Sequence, residues 1–341
     1  MRENQRPRRS APQRAIFDAV TPELVQGAAR LWSKGSPAPV AIPAVQNFVY
    51  AVERKEGPAI MRLTHESHRS EAEVAGEVSW LIDLKQRGLP VPAVYPSLQD
   101  KLVQTVESDQ GRFVITCFER LSGVEPDPGQ HGFWSDQIFE VLGAMMARLH
   151  QASYEAAWNP ATLTRRGWRE ESVAQNFHFY VPVNEKAVHE AFDRVLAKLD
   201  ALPRSRDSFG LIHADLNHAN FFVTQAGLNI FDFDDSCYCW FAYDLLVPIF
   251  HFPAAEPEVM NTQAQRALRS LVRGYESVGR FNPAWLELLP LLFKWRDLIT
   301  YGFFYEQLEI DELPERMSRT FLAMRARIES DRPIAEIGDA R

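Results

Sequence analysis

Residues 211–235, LIHADLNHANFFVTQAGLNIFDFDD, restrict the fold of this 341-residue chain more than any other stretch. The apolar runs Phe209–Ile212, Phe221–Val223 and Leu228–Phe231 read as short strands, and Gln225-Ala226-Gly227 reads as the turn of a hairpin between the last two. Such a hairpin returns the chain to the loop it left. Asp232, at the end of the return strand, therefore comes back beside Asp215 and Asn220. One carboxylate and one amide oxygen suit a hard divalent cation that keeps part of its water. A second carboxylate, not consumed as a ligand, can orient a hydroxyl and accept its proton. Together these are the parts needed to hold a metal-bound nucleoside triphosphate and aim a hydroxyl at its terminal phosphorus.

The remaining sequence divides in character. Thr21-Pro22-Glu23 has the pattern of a helix start, with Thr as N-cap and Pro in the first turn, and the helix runs on to Trp32. Val45–Glu53 and Ala59–Leu63 read as strands around the turn at 55–58, and Leu102–Val106 pairs in the same way with Arg112–Phe118. Between them Ser70–Gln86 places Val74, Val78, Leu81 and Leu84 on one helical stripe and stops before Gly88. Phe133–Ala152, Lys186–Leu202, Thr262–Val278, Pro283–Tyr305 and Glu315–Ile328 are helical in pattern. The expected architecture is an α+β, bilobal fold: a small β-rich lobe over residues 15–118 and a larger, mainly helical lobe over 119–341.

Composition excludes several classes. The formal net charge is −8, and an acidic body is a poor partner for nucleic acid. Residues 1–14 carry Arg2, Arg6, Arg8, Arg9 and Arg14 against Glu3, without an apolar leader segment, and are expected to form a frayed basic tail. The apolar runs are too short for a membrane span. Cys117, Cys237 and Cys239 fit neither a disulfide framework nor a zinc site, which favours a reduced, cytoplasmic protein. Nothing in the sequence bears on oligomeric state.

The spacing His213-x-Asp215-x-x-x-x-Asn220, followed by Asp232-x-Asp234, resembles the aminoglycoside phosphotransferase family. That family includes choline-kinase-like, homoserine-kinase-like and RdoA-type stress-response kinases and shares the protein-kinase fold. Ala147-Arg148-Leu149-His150 and the segment WFAYDL at Trp240–Leu245 carry the resemblance further, over residues 20–310. It implies ATP and Mg2+ as cofactors, Asp215 as the catalytic aspartate, and Asn220 and Asp232 as magnesium ligands. His213 would brace the loop from within, and Asp244 would hold it by hydrogen bonds. Arg62, on the strand Ala59–Leu63, would supply the cation for the α/β-phosphates, and a helix glutamate would steady it. Glu77 fits that partner, because it lies on the apolar stripe, where a carboxylate is costly unless paired. Main-chain groups of Cys117 and Glu119 would meet the adenine edge. The implied acceptor is a hydroxyl on a small molecule such as an amino sugar or amino alcohol, with Ser/Thr on a protein, as in the RdoA type, as the alternative.

Two features depart from that pattern. Arg62 stands where many relatives have Lys, and Pro43–Phe48, at the place of a phosphate loop, contains no glycine. These departures keep a nucleotide-binding pseudokinase open as a second reading. A third, a haloacid-dehalogenase phosphatase reading of LNIFDFDDS, lacks a suitable early position and leaves Lys294 as the only downstream lysine. Asp234 and Asp235 could widen the metal site, attract a cationic substrate or fill the loop. His150 reads as a packed helix-terminal residue. Trp168, Trp285, Trp295, Arg296 and Tyr301 could line an acceptor pocket, with core packing the alternative for the tryptophans.

Overall fold

The structure is a computed structural model, and it describes residues 7–35, 37–127, 135–156, 163–252 and 256–337. Strands β1 (Val40–Ile42), β2 (Phe48–Arg54), β3 (Gly57–His65), β4 (Val103–Ser108) and β5 (Gly111–Glu119) form one antiparallel sheet in the order β1-β2-β3-β5-β4. Side chains alternate between the faces of a strand. Ala59, Met61 and Leu63 of β3 and Phe113, Ile115 and Cys117 of β5 therefore share one buried face, covered by α1 (Ala11–Asp18) and α2 (Pro22–Arg30). By the same alternation Arg62 leaves the opposite face, towards α3 (Glu71–Gln86).

The start of α3 is fixed by a capping box. Glu73 N–H donates to Ser70 Oγ (3.3 Å) and Ser70 N–H donates back to Glu73 Oε2 (2.8 Å). A left-handed glycine, Gly88, follows the helix end.

The helical part comprises α4 (Asp136–Ala156), α5 (Ser172–Tyr180), α6 (Lys186–Asp200), α7 (Ala242–Phe250), α8 (Pro257–Glu276), α9 (Ala284–Gln307) and α10 (Glu315–Glu329). The patterned helices are present, whereas α1, α5 and the Pro248-containing α7 were not expected. Phe133, the expected start of α4, lies outside the described residues. The backbones of α4 and α8 meet at Gly143 and Gly274, where a Cβ would collide with the main-chain oxygens of Leu271 and Glu140. Among the described residues no helix is long and apolar enough to cross a membrane.

Two short ladders sit under the cleft. β6 (Phe209–Ile212) pairs with β9 (Cys237–Trp240), and β7 (Phe221–Thr224) with β8 (Gly227–Ile230). The β7–β8 hairpin is the one read from the sequence; β9 is an addition. Ile212 pairs with Cys237, so the loop after β6 and the segment before β9 start from the same point. Phe221 pairs with Ile230, and the ladder continues through Phe231 N–H to Asn220 O (3.0 Å).

The chain start differs from the expected tail. Residues 1–6 lie outside the described residues, but from Pro7 the chain is docked. Ser10 N–H donates to Gln307 O and Glu309 N–H to Arg8 O, both at 2.9 Å. Arg14 pairs with Glu309, Arg8 with Glu312, and Arg9 lies over Phe17 while donating to Val45 O (2.7 Å). Arg8 and Arg14, which look solvated in a local window, have carboxylates about 300 residues away.

Candidate active site

β6 runs into a tight bend at Ala214, whose φ of 64° is left-handed and costs about 1–2 kcal/mol in a residue with a side chain. Asp244, at the start of α7, holds that bend: its carboxylate accepts Ala214 N–H (2.8 Å) and His213 N–H (3.2 Å). His150 braces Asp244 from behind through Nε2 (3.0 Å) and stacks on Phe241. His213 is fully buried. Its Nε2 faces Phe231 O (3.1 Å) and its Nδ1 accepts Asp215 N–H (3.3 Å), which assigns the proton to Nε2. The geometry around His213, Asp244 and His150 is that of a rigid support beneath Asp215.

Asp215 itself is half-buried and faces the cleft. Its Oδ2 accepts the side-chain amides of Asn217 (2.8 Å) and Asn220 (2.9 Å), and its Oδ1 accepts Arg296 Nη2 (2.7 Å). Because Asn220 spends its nitrogen on Asp215, its amide oxygen is turned away from that contact. The β7–β8 register places Asp232 one residue beyond the Phe231–Asn220 bond, also in a left-handed conformation (φ 64°). Among the described residues no protein donor reaches the Asp232 carboxylate. The surrounding protein, then Asp234, raises its carboxyl above the usual carboxylate range, with Arg62 opposing, while the residue itself stays exposed to solvent. An unpaired carboxylate beside an amide oxygen is a hard-oxygen set that fits a divalent cation.

On the small lobe Arg62 and Glu77 form a bidentate pair, Nη1–Oε1 2.9 Å and Nη2–Oε2 2.6 Å, with Arg62 only 4% exposed. Asp234, His68 and Asp235 bring possible ligand atoms within 4.8 Å of one another. Asp234 is buried and takes His68 Nε2 (2.5 Å) and Asn47 Nδ2 (2.9 Å), with Arg62 Nη1 at 3.8 Å. Burial works against its charge, but His68, Arg62 and Arg69 hold its carboxyl well below the usual range. Its main-chain oxygen accepts both Arg69 and Arg165, whose guanidinium also bonds Ser236 O and Glu73 O. Asp235 is partly exposed, 3.4 Å from Arg69.

The adenine contact is the expectation that the structure does not assemble. Cys117 O already accepts Tyr95 N–H and Glu119 N–H donates to Ala93 O, both at 2.8 Å, because residues 93–95 bridge to the end of β5 at Val94–Phe118. Asn217, Asn47, His68, Arg69 and Arg165 were not singled out from the sequence. Arg296 was noted only as pocket lining. The one local signal that could have drawn attention to it is the Lys294, Arg296 and Asp297 charges set in the otherwise apolar run LLPLLFKWRDL.

The model of the phosphotransferase enzyme family matches residues 40–288. The chain belongs to this family. Its fold is the family's kinase-like one, and the protein is a small-molecule kinase that transfers phosphate to alcohol groups. The chain is 29% identical to amicoumacin kinase from Bacillus subtilis (strain 168) over 295 residues, covering 85% of this chain and 86% of the relative. It is 30% identical over 255 residues to a homoserine kinase from Acidiphilium cryptum (strain JF-5), covering 73% and 74%. A solved structure of amicoumacin kinase hAmiN in complex with AMP-PNP, Ca2+ and Ami superposes with a TM-score of 0.84 at 26% identity, covering 94% of this chain and 97% of that one. An ATP analogue and a divalent cation in that relative support ATP use by this member of the family.

Proposed function

We propose that this kinase moves the γ-phosphoryl group of ATP, as its magnesium complex, to a hydroxyl of an amine-bearing small molecule of the amicoumacin type. The observation that carries the reading is the convergence of Asp215, Asn220 and Asp232 within one strand–loop–hairpin under the cleft. Asp215 orients the acceptor hydroxyl and takes its proton. Asn220 and Asp232 hold the cation, which neutralises phosphate charge when bound. Arg62, steadied by Glu77, grips the phosphates; the formed bidentate pair favours a working enzyme over a pseudokinase. With Cys117 O and Glu119 N–H engaged, the adenine edge falls to the main chain just after β5, at 120–121. That boundary also divides the nucleotide-binding lobe from the catalytic one. The partly exposed Asp235 and the acidic body suit an ammonium-bearing acceptor, and within that class the longer overlap with amicoumacin kinase favours an amicoumacin-type acceptor over homoserine. Three free, buried cysteines fit a reducing, cytoplasmic setting.

The test is an ATP-consumption screen with amicoumacin, homoserine, amino alcohols and amino sugars, alongside D215N. Turnover on amicoumacin, abolished in D215N with ATP binding retained, is the expected result. D215N turning over at the parent rate would refute the mechanism, and turnover on homoserine alone would reassign the acceptor.

A further inference from the structure

Arg296 lies midway along α9, next to the buried Asp297 that pairs with Arg327, and only 16% of its side chain is exposed. Its guanidinium is fixed from several sides. Nη1 donates to Ala214 O (3.2 Å) and Tyr243 Oη (3.3 Å), Nη2 donates to Asp215 Oδ1 (2.7 Å), and the rings of Phe250 and Tyr243 flank it. His251 Nε2 stands 3.4 Å from Nη2.

A carboxylate offers about four lone-pair positions. In Asp215 the two asparagine amides take those of Oδ2 and Arg296 takes one of Oδ1. His251 Nε2, at 3.9 Å from Oδ1, is beyond hydrogen-bond reach. One lone pair, on Oδ1, is left for an incoming hydroxyl, and its direction is set by the arginine on the same oxygen. A clamp serving the fold alone would be satisfied by Ala214 O and Tyr243. Here one nitrogen is spent on the reacting carboxylate itself.

We propose that Arg296 is a positioning residue for phosphoryl transfer, acting through Asp215 by fixing the rotation of its carboxylate so that the remaining Oδ1 lone pair meets the acceptor hydroxyl. This rests on the reading that Asp215 receives the acceptor. Arg296 reaches Asp215 from the large lobe, whereas the phosphate-gripping pair stands on β3 and α3, so nucleotide affinity is independent of it.

The experiment compares R296Q, R296K, D215N and the double variant D215N/R296Q. Transfer from MgATP is followed with amicoumacin as acceptor and, without it, with water as acceptor by phosphate release. R296Q is expected to lower kcat by about 100-fold, the scale of a misoriented catalytic group, with the KM for ATP unchanged. R296K recovers part of that loss. The trace of transfer that D215N retains in long incubations at high enzyme concentration is not lowered further in the double variant, because a residue acting through Asp215 has nothing left to act on. Circular dichroism and thermal melts establish that each variant is folded. Parent-like kcat in R296Q, or losses that add in the double variant, would overturn the proposal. D215N at the parent rate would instead overturn the reading beneath it.

Discussion

At the scale of single residues, losing one partner of the Arg62–Glu77 pair is costly. Both groups are buried, with side-chain exposures of 5% and 1%, so removing one partner strands the other charge in the interior. E77Q should destabilise the fold by about 3–5 kcal/mol in urea denaturation, and R62M/E77L should recover much of it. Equal loss in the double variant would mean the pair is needed for packing and not for charge balance. His251 supplies a pH prediction. Burial, then Arg296 and His218, pushes its imidazole down to about 3, while in the unfolded chain it titrates near the ordinary value of 6.5. The unfolded state therefore binds the extra proton between those two values, and the stability from keeping the ring neutral, present above 6.5, is lost as pH falls. The side chain is 32% exposed, so water moderates the size of the effect and leaves its sign. Unfolding free energy should decline less steeply from pH 6.5 to 4 in H251N than in the parent. Identical slopes would show that the folded protein protonates this ring.

At the scale of elements, the two glycines between α4 and α8 and the glycine within α2 make opposite predictions. A Cβ at Gly274 meets the main chain of α4, and backbone cannot swing aside as a flexible side chain can. G274A should cost about 1–3 kcal/mol or more, read as a lower urea midpoint. Gly27 in α2 has nothing within 4 Å of the place its Cβ would take, so G27A should be neutral or stabilise by about 0.5–1 kcal/mol. A neutral G274A would mean the helices can separate without loss. The α2 start was legible because its cap is local, Thr21 accepting Leu24 N–H, and α3 because its apolar stripe repeats at helical spacing. The α7 helix was not, because Pro248 breaks the usual pattern and its burial comes from neighbours distant in sequence.

At the scale of the whole molecule, the docked chain start ties the sheet side of the protein to the end of α9. Its two main-chain bonds to residues 307 and 309 contribute about 1–3 kcal/mol together, and its exposed ion pairs little. Removing residues 1–10 should lower thermal stability by that amount while phosphoryl transfer continues. Collapse of activity in a folded truncation would show that the Arg9–Val45 contact serves the nucleotide loop. The convergence of Asp215, Asn220 and Asp232 and the bracing of their loop by Asp244 could be read from the sequence, since a strand, a loop and a hairpin of fixed spacing bring them together by short-range geometry. Arg62 followed from the family resemblance, and Glu77 from its place on a helical stripe where an unpaired carboxylate is costly. What only the tertiary structure decided are contacts between distant segments: Arg296 on Asp215 across 81 positions, Asn47 on Asp234 across 187, and Arg8 on Glu312 across 304. No local pattern encodes these, because each depends on how whole elements pack. Packing also spends the main-chain groups of Cys117 and Glu119 on the sheet edge.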